Sequence, residues 1–309
     1  MGRGFRRALV TGGAGFIGSH LVRALLERGV EVSVLDDLSV GRRENVPPVA
    51  KFVKGDVRDA RAVDEALAGV DCVFHNAAVV SVRASIERFV EDADVNLMGT
   101  LTLLSQMGAA GVRKAVLASS MAVYADSAEP LPLRESHPTE PLSPYGVAKL
   151  SAEHYWRTLC RHYGIEGTVL RYFNTYGPGQ TLTPYVGVIT IFINRLLGGE
   201  SPLIFGDGEQ RRDFVHVDDI VAANLLALER DAADRVFNVG TGRATTVNEI
   251  ARELAELLAP GTKPSYAPAQ PGEMRNAIAD LSAIHEVLGF EPARPRIDFE
   301  EIVRYWRGS

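Results

Sequence analysis

The sequence predicts an α/β fold, a doubly wound parallel β-sheet with a smaller, interleaved α/β region attached to it. Three observations carry this. Short apolar runs alternate with helical-period segments through the first half. A glycine-rich turn joins the first run to the first helix. After about residue 172 the alternation gives way to frequent glycine and proline, at Gly177, Pro178, Gly179, Pro184 and Gly187.

Taken in order, residues 7–10 form a β-type run that ends in glycines, and residues 16–28 carry helical periodicity. Gly29 ends that helix, and residues 30–35 are a second strand. A weaker strand follows at 51–53, a helix at 61–68 and a buried strand at 72–75. Residues 92–110 read as one long helical pattern stopped by Gly111, with a further strand at 115–118. Repeated βαβ units with short apolar strands imply a parallel sheet covered on both faces. Residues 218–229 look helical and 236–239 like a strand, and both can return to the first sheet. The expected division is therefore interleaved: residues 1–172 with 213–240, and residues 173–212 with 241–309.

Composition narrows the function class. With 309 residues, 46% hydrophobic and 23% charged, the chain can bury a core without disulfides or metal. A net charge of −6 gives no reason to expect nucleic-acid or membrane partners. No apolar stretch approaches the roughly 20 residues a membrane helix needs. Arg3, Arg6 and Arg7 precede only a short apolar run, which is not a signal-peptide pattern, so the expected compartment is the cytoplasm. Cys72 and Cys160 read as buried thiols, and two isolated cysteines lack zinc-site spacing.

The turn at Gly12-Gly13-Ala14-Gly15-Phe16-Ile17-Gly18 follows a strand and opens a helix. Gly13, Gly15 and Gly18 fit the dinucleotide fingerprint of a Rossmann-type unit. Glycine there permits a tight turn and close approach of backbone to pyrophosphate. The helix start at Phe16 and Ile17 offers free N–H groups and a positive dipole end. Asp36, with Asp37 beside it, stands at the end of the second strand. A carboxylate there accepts both adenosine ribose hydroxyls and repels a 2′-phosphate, which favours NAD over NADP. The bland alternative is a solvated turn. Arg42 and Arg43 lie close enough to soften the exclusion of NADP.

Tyr145-Gly146-Val147-Ala148-Lys149 has Tyr-x-x-x-Lys spacing, and Ser119-Ser120 ends a strand before it. Together with the glycine opening, these residues resemble the extended short-chain dehydrogenase/reductase family. Within it they are most similar to the nucleoside-diphosphate-sugar 4-epimerases of the UDP-glucose (UDP-galactose) type. The resemblance runs from Leu9 to about Tyr305. A tyrosine with pKa near 10 is a poor base at neutral pH. A lysine four residues on shares its helix face, and its charge, with that of the nicotinamide ring, would lower the phenol pKa. Tyr145 is then the base and acid, Lys149 its electrostatic partner and ribose ligand, and Ser120 the group that orients the alcohol. Dehydratases and decarboxylases of the superfamily carry acids just after the serine, where this chain has Met121 and Ala122. The Val-Tyr-Gly segment of the family reads Val123-Tyr124-Ala125 here, a departure that bears on the local turn.

The resemblance implies further residues. Asp56 and Val57 would bind the adenine ring, Ala77 and Ala78 line the cofactor cleft, Asn96 support the site, and Tyr172 pack near the nicotinamide carboxamide. His75 reads as a packed strand-end residue. On the sugar-nucleotide side, Asn174 would point its amide at the substrate, and the segment through Tyr185, Val186, Gly187 and Val188 resembles the substrate loop. Leu203, Ile204 and Phe205 would contact the uracil or thymine base, and Arg212 would grip the diphosphate with its planar fork. Glu273 would bind the nucleotide ribose. Gln270 stands where relatives place a diphosphate-binding arginine, and Arg275 is the candidate substitute. The expected activity is NAD-dependent 4-epimerisation of a UDP-linked hexose, the alternatives being a dTDP-6-deoxysugar 4-epimerase or a non-catalytic NAD-binding regulator. Family members are usually homodimers, paired through two long helices; Leu150, Tyr155 and Leu159 are candidate interface positions on the helix that carries Tyr145, and a buried face within the chain explains their pattern equally well.

Overall fold

The computed structural model describes residues 5–127, 129–180, 187–269 and 274–308. Its first six strands are β1 (Arg7–Thr11), β2 (Glu31–Asp36), β3 (Lys51–Lys54), β4 (Cys72–His75), β5 (Lys114–Ser120) and β6 (Glu166–Tyr172). Shorter strands follow: β7 (Asn174–Tyr176), β8 (Leu203–Phe205), β9 (Arg211–Arg212) and β10 (Phe214–His216). The last are β11 (Arg235–Val239), β12 (Thr245–Thr246), β13 (Ser265–Ala267) and β14 (Asn276–Ala277). Seven of them form one parallel sheet in the order β11-β6-β5-β4-β1-β2-β3. From β1 the chain winds one way through β2 and β3, then the other way from β4 onward. The crevice at the carboxyl ends of β1 and β4 is therefore a topological switch point, where open α/β sheets take their ligands.

Helices cover both faces of the sheet, and in chain order the helices are α1 (Phe16–Glu27), α2 (Ala60–Leu67), α3 (Val82–Glu87), α4 (Phe89–Ala93), α5 (Gly99–Ala110), α6 (Pro144–Tyr163), α7 (Val188–Leu197), which packs in a separate core, and α8 (Val217–Glu229). They are followed by α9 (Val247–Leu258), α10 (Ser282–Leu288) and α11 (Phe299–Gly308). Period-2 alternation sorts the strand residues between two cores. Val10, Val116 and Leu170 face Leu21, Leu25 and Leu225 on one side. Leu9, Leu117 and Val169 face Leu67, Leu103 and Trp156 on the other. A third core gathers Phe192, Ile193, Ile204, Ile250, Leu254 and Ile302 from the later elements.

The helix that bears the Tyr-x-x-x-Lys pair is strongly delimited. Ser143 caps it, its hydroxyl accepting from Gly146 N at 3.2 Å, and Pro144 occupies its first turn. Gly164 ends it in the left-handed conformation at φ 70°. The 92–110 pattern is helical throughout and ends at Gly111, as expected, but it is not α-helical throughout. The chain there runs through α4, a π-helical turn (Asp94–Met98) and α5. The π turn adds a residue to one helical turn, which resets the face that Asn96 presents. No helix among the described residues is long and apolar enough to cross a membrane. Cys72 and Cys160 are buried free thiols.

Gly18 sits where the first helix passes over the glycine turn, and a β-carbon there would lie 2.2 Å from the Gly12 carbonyl oxygen. Gly18→Ala must push helix and turn apart. The expected loss is about 1–3 kcal/mol in urea unfolding, together with weaker dinucleotide binding. Unaltered stability and binding would contradict this packing.

Candidate active site

The glycine turn is shaped by contact. Gly12 has φ 69°, and a β-carbon on it would meet the Ala77 backbone at 2.8 Å. β1 and β4 thus leave the sheet with their backbones touching, and Ala77 and Ala78 flank the crevice. Gly15 caps α1 with no side-chain hydrogen bond, so the first N–H groups of Phe16, Ile17 and Gly18 have no side-chain cap. That combination suits a pyrophosphate. Asp36, nearly buried at the end of β2, accepts from Ala14 N and Leu38 N, each at 2.9 Å. Each carboxylate oxygen keeps a lone pair for a ribose hydroxyl. Burial raises the Asp36 pKa, and the two backbone donors oppose that rise. Asp37 turns instead to Ser39, through backbone N and hydroxyl. Arg43 lies over the Phe52 ring at 4.7 Å, engaged away from Asp36.

The adenine-side carboxylate is already engaged. Asp56 accepts from Arg58 Nε at 2.9 Å and from Arg58 N at 2.8 Å, and the arginine also reaches Asp94. That pairing holds the Asp56 carboxyl below its ordinary pKa. Val57 is buried beside Gly99, where a β-carbon would meet it at 2.5 Å.

His75 is the centre of a buried relay. Thr100 Oγ1 donates to Asn96 O, so it accepts from His75 Nε2 at 2.9 Å. His75 Nδ1 must then accept from Thr11 Oγ1 at 2.7 Å, while Ala77 N donates to that same hydroxyl. The ring stacks on Trp156, with centroids 6.0 Å apart. Burial drives the imidazole pKa down to about 3, so it is neutral and a packing residue, as its sequence position suggests. Asn96 clamps the following loop, donating to Val79 O and accepting from Val79 N, each at 3.0 Å.

Across the crevice, α6 presents Tyr145, Lys149 and Glu153 on one face. Gly146 lets this helix touch the short 3₁₀ turn Met121–Val123, where a β-carbon would lie 2.2 Å from the Ala122 carbonyl oxygen. That approach brings the Tyr145 phenol against the Ser120 hydroxyl. Burial pushes the phenol pKa up to about 12, Ser120 draws it down, and Asp92 adds to the rise. Lys149 Nζ donates to Ala118 O at 3.1 Å and lies 5.9 Å from the Tyr145 ring centre. Burial lowers the Lys149 pKa to about 8. At the phenol, burial therefore outweighs the hydrogen bond from Ser120. NAD, when bound, adds a positive ring and the acceptor for a substrate hydride.

Beneath the site lie charges that sequence patterns did not disclose. Glu153 accepts from Ser119 Oγ at 2.5 Å and from Arg171 Nε and Nη2 at 2.9 and 2.7 Å. Arg171 lies over the Tyr124 ring at 4.7 Å, and Tyr124 donates to Asn238 Oδ1 at 2.6 Å. Ser119 therefore anchors the floor, leaving Ser120 to face Tyr145. Glu153 stands four residues beyond Lys149, and Arg171 interrupts an apolar strand; those were the available signals. Ala125 needs no glycine, because its φ is not positive, and its N–H donates to Pro138 O at 2.9 Å.

Other expected positions divide. The Tyr172 hydroxyl accepts from Asn224 at 2.7 Å and its ring joins the core under α8. Its side chain thus packs into that core, correcting the expected carboxamide contact; its backbone, paired with Ser120, ends at the crevice. Asn174 Nδ2 donates to Asp213 O at 3.2 Å. Arg212, nearly buried, donates to Arg211 O at 3.0 Å. Val188 begins α7, half-buried. Ile204 points into the third core and cannot offer its side chain to a base, whereas Leu203 and Phe205 are half-exposed. Arg83 lies over the Phe205 ring at 4.8 Å. Arg275 binds Asp207 through both Nη atoms, at 2.7 and 2.9 Å, instead of standing open for a diphosphate. Gln270, Glu273, Tyr185 and Val186 lie outside the described residues.

His75 gives the site a pH signature. Its folded pKa of about 3 lies below the ordinary imidazole value of 6.5, so between those values the unfolded chain holds a proton that the folded chain lacks. Stability rises with pH across that window and falls on acidification, by up to about 1.4 kcal/mol per pH unit. His75→Gln should flatten this dependence in urea unfolding followed from pH 7 to 4, chosen to fall within roughly that window. An unchanged slope would contradict a neutral His75.

Comparison with known proteins agrees with this geometry. Residues 8–240 match the NAD dependent epimerase/dehydratase family. A putative UDP-glucose 4-epimerase of Methanocaldococcus jannaschii is 41% identical over 96% of this chain and 95% of its own. The crystal structure of Thermotoga maritima UDP-glucose 4-epimerase with UDP-glucose superposes with a TM-score of 0.92 at 42% identity, covering 98% of this chain and 99% of that one. That of the Thermus thermophilus enzyme with NAD gives a TM-score of 0.90 at 39% identity, over 98% and 99%. The Rossmann-like sheet, the glycine turn, Asp36 and the Tyr145–Lys149 pair fit the same cofactor, and the chain belongs to the NAD-dependent epimerase/dehydratase family, of the extended short-chain dehydrogenase/reductase type.

Proposed function

We propose that this protein is a nucleotide-sugar 4-epimerase acting on a UDP-linked hexose. The observation that carries the reading is the convergence of Tyr145, Ser120 and Lys149 at the switch-point crevice, beside Met121 and Ala122. The latter two cannot transfer protons. Elimination of water needs an acid there, whereas epimerisation needs only the base and acid that Tyr145 supplies.

In this reading Tyr145 takes the proton of the sugar 4-hydroxyl, and Ser120 hydrogen-bonds the oxygen as it becomes a carbonyl. The planar 4-keto sugar turns over, and Tyr145 returns a proton when the opposite face is reduced. Lys149 holds the nicotinamide ribose and its charge favours the phenolate. Gly12, Gly15, Phe16, Ile17 and Gly18 face the pyrophosphate, Asp36 the adenosine ribose, and Asp56 and Val57 the adenine. Residues 173–212 and 241–309 hold the sugar nucleotide, with Asn174 and Arg212 on the sugar diphosphate and Leu203 and Phe205 beside the base.

A homodimer fits the same helices. Of the expected interface positions, Leu150 and Leu159 are partly buried within the chain and Tyr155 is 48% exposed. Val147, two turns earlier on α6, and Met98 beside α5 are also exposed. Tyr155→Glu combined with Val147→Glu should give a monomer by sedimentation velocity; an unchanged sedimentation coefficient would place the contact elsewhere.

The activity is tested by supplying UDP-glucose and UDP-N-acetylglucosamine separately to NAD-loaded protein and identifying the galacto epimers. Production of neither would sink the UDP-hexose reading, and a melting temperature raised by dTDP but not by UDP would move it to a dTDP-sugar. Tyr145→Phe should keep NAD binding while lowering turnover at least about 10²–10⁴-fold, the usual worth of a general acid–base group. Retained turnover would remove Tyr145 from the base role.

A further inference from the structure

Asp92 carries a carboxylate into the protein without satisfying it. It lies on α4 and is 3% exposed. Oδ1 accepts from Asn96 Nδ2 at 3.1 Å, while Oδ2 is buried with no hydrogen-bond partner. An unsatisfied buried carboxylate oxygen is costly. Anchoring Asn96 does not account for it, because an amide or hydroxyl oxygen would serve as acceptor at lower desolvation cost.

The helix α4 packs on α6, and the field of Asp92 crosses that contact. It favours the charged form of Lys149 and opposes ionisation of Tyr145. Lys149 Nζ spends its direct hydrogen bond on the Ala118 carbonyl, so the two charges act through space. The other charged or titratable groups facing this pair are few. Glu153 on α6 also favours the Lys149 ammonium, but its carboxylate is bound by Arg171 of β6. His75 on β4 is neutral. Asp94 in the π turn is bound by Arg58, and Glu91 of α4 by Arg88.

We propose that Asp92 is a positioning residue, the through-space counter-charge that keeps Lys149 an ammonium while Tyr145 exchanges a proton with the substrate. The inference rests on the epimerase reading for its purpose but not for its test. Loss of the charge should lower the pKa of Lys149, because a buried ammonium is then less stabilised, and should lower that of Tyr145, because the nearby negative charge is gone. Activity needs the phenolate and the ammonium together. Both limbs of the pH profile should therefore move to lower pH, a displacement that mere loosening of Asn96 would not produce.

The chain has five lysines, so protein labelled with ¹³C at lysine Cε gives a resolvable titration, with Lys149 assigned by its absence from Lys149→Met. In the wild type this resonance should titrate near pH 8. In Asp92→Asn it should titrate about one pH unit lower, and in Asp92→Glu close to wild type. The kcat/KM profile of Asp92→Asn should shift acidward on both limbs. A Lys149 titration and profile that coincide with wild type, with only the rate reduced, would overturn the inference. If Asp92→Asn is too unstable to titrate, Asp92→Ser against Asp92→Glu gives the same contrast: a Lys149 pKa that follows the charge supports the assignment, and one that ignores it refutes it. The lysine titration needs no turnover. Absence of epimerisation in the wild type would count against the proposed function alone.

Discussion

The site is organised around one buried ammonium. Lys149 is carried on a helix into a region closed to water, where its direct hydrogen bond goes to a neutral carbonyl at the end of β5. Desolvation pulls its pKa down. Carboxylates on two sides oppose that fall, Asp92 on the neighbouring helix and Glu153 on its own. Neither carboxylate is its direct hydrogen-bond partner, and its Nζ lies 5.9 Å from the centre of the Tyr145 ring. The surrounding packing serves that arrangement. Gly146 lets α6 sit on the turn after Ser120, and Ser119 ties the same turn to Glu153.

The opposite wall of the crevice is fixed by uncharged means. The glycine turn and the β4 exit are in backbone contact at Gly12 and Ala77. A relay of hydroxyls through neutral His75 then holds that contact to α5 and the π turn. Asn96, set on the π turn, clamps the loop that follows. Asp92 touches Asn96 with one oxygen and faces the lysine side with its charge. The cofactor wall and the proton-transfer wall are therefore joined through α4, a five-residue helix with no distinctive sequence pattern.

Much of this was legible in the chain itself. The sheet, the glycine turn, Asp36 and the Tyr145–Lys149 spacing are local: each reads within one βαβ unit or one helical turn. Features built from tertiary adjacency were not legible. Asp92 and Asn96 are four apart and read as an ordinary helix face, because a π turn cannot be seen in a hydrophobic period. Glu153 and Arg171 are remote in sequence and meet only when α6 lies on β6. Ile204 and Tyr172 show the opposite failure. A position matched by resemblance fixes the backbone, but alternation along a short strand decides which face the side chain takes, and both side chains went into cores. Arg275 likewise satisfied the expectation of an available arginine in sequence and was claimed in space by Asp207.

The proposed mechanism requires that Tyr145 become a base only beside a charged Lys149 with NAD in place. The direct measurement is the absorbance titration of the Tyr145 phenol in NAD-loaded protein, taken as the difference from Tyr145→Phe and repeated in Lys149→Met. A phenolate forming far below the value of about 12 towards which burial pushes the phenol, and lost from that range in Lys149→Met, is the predicted result. A phenol that titrates alike with and without the lysine would contradict it.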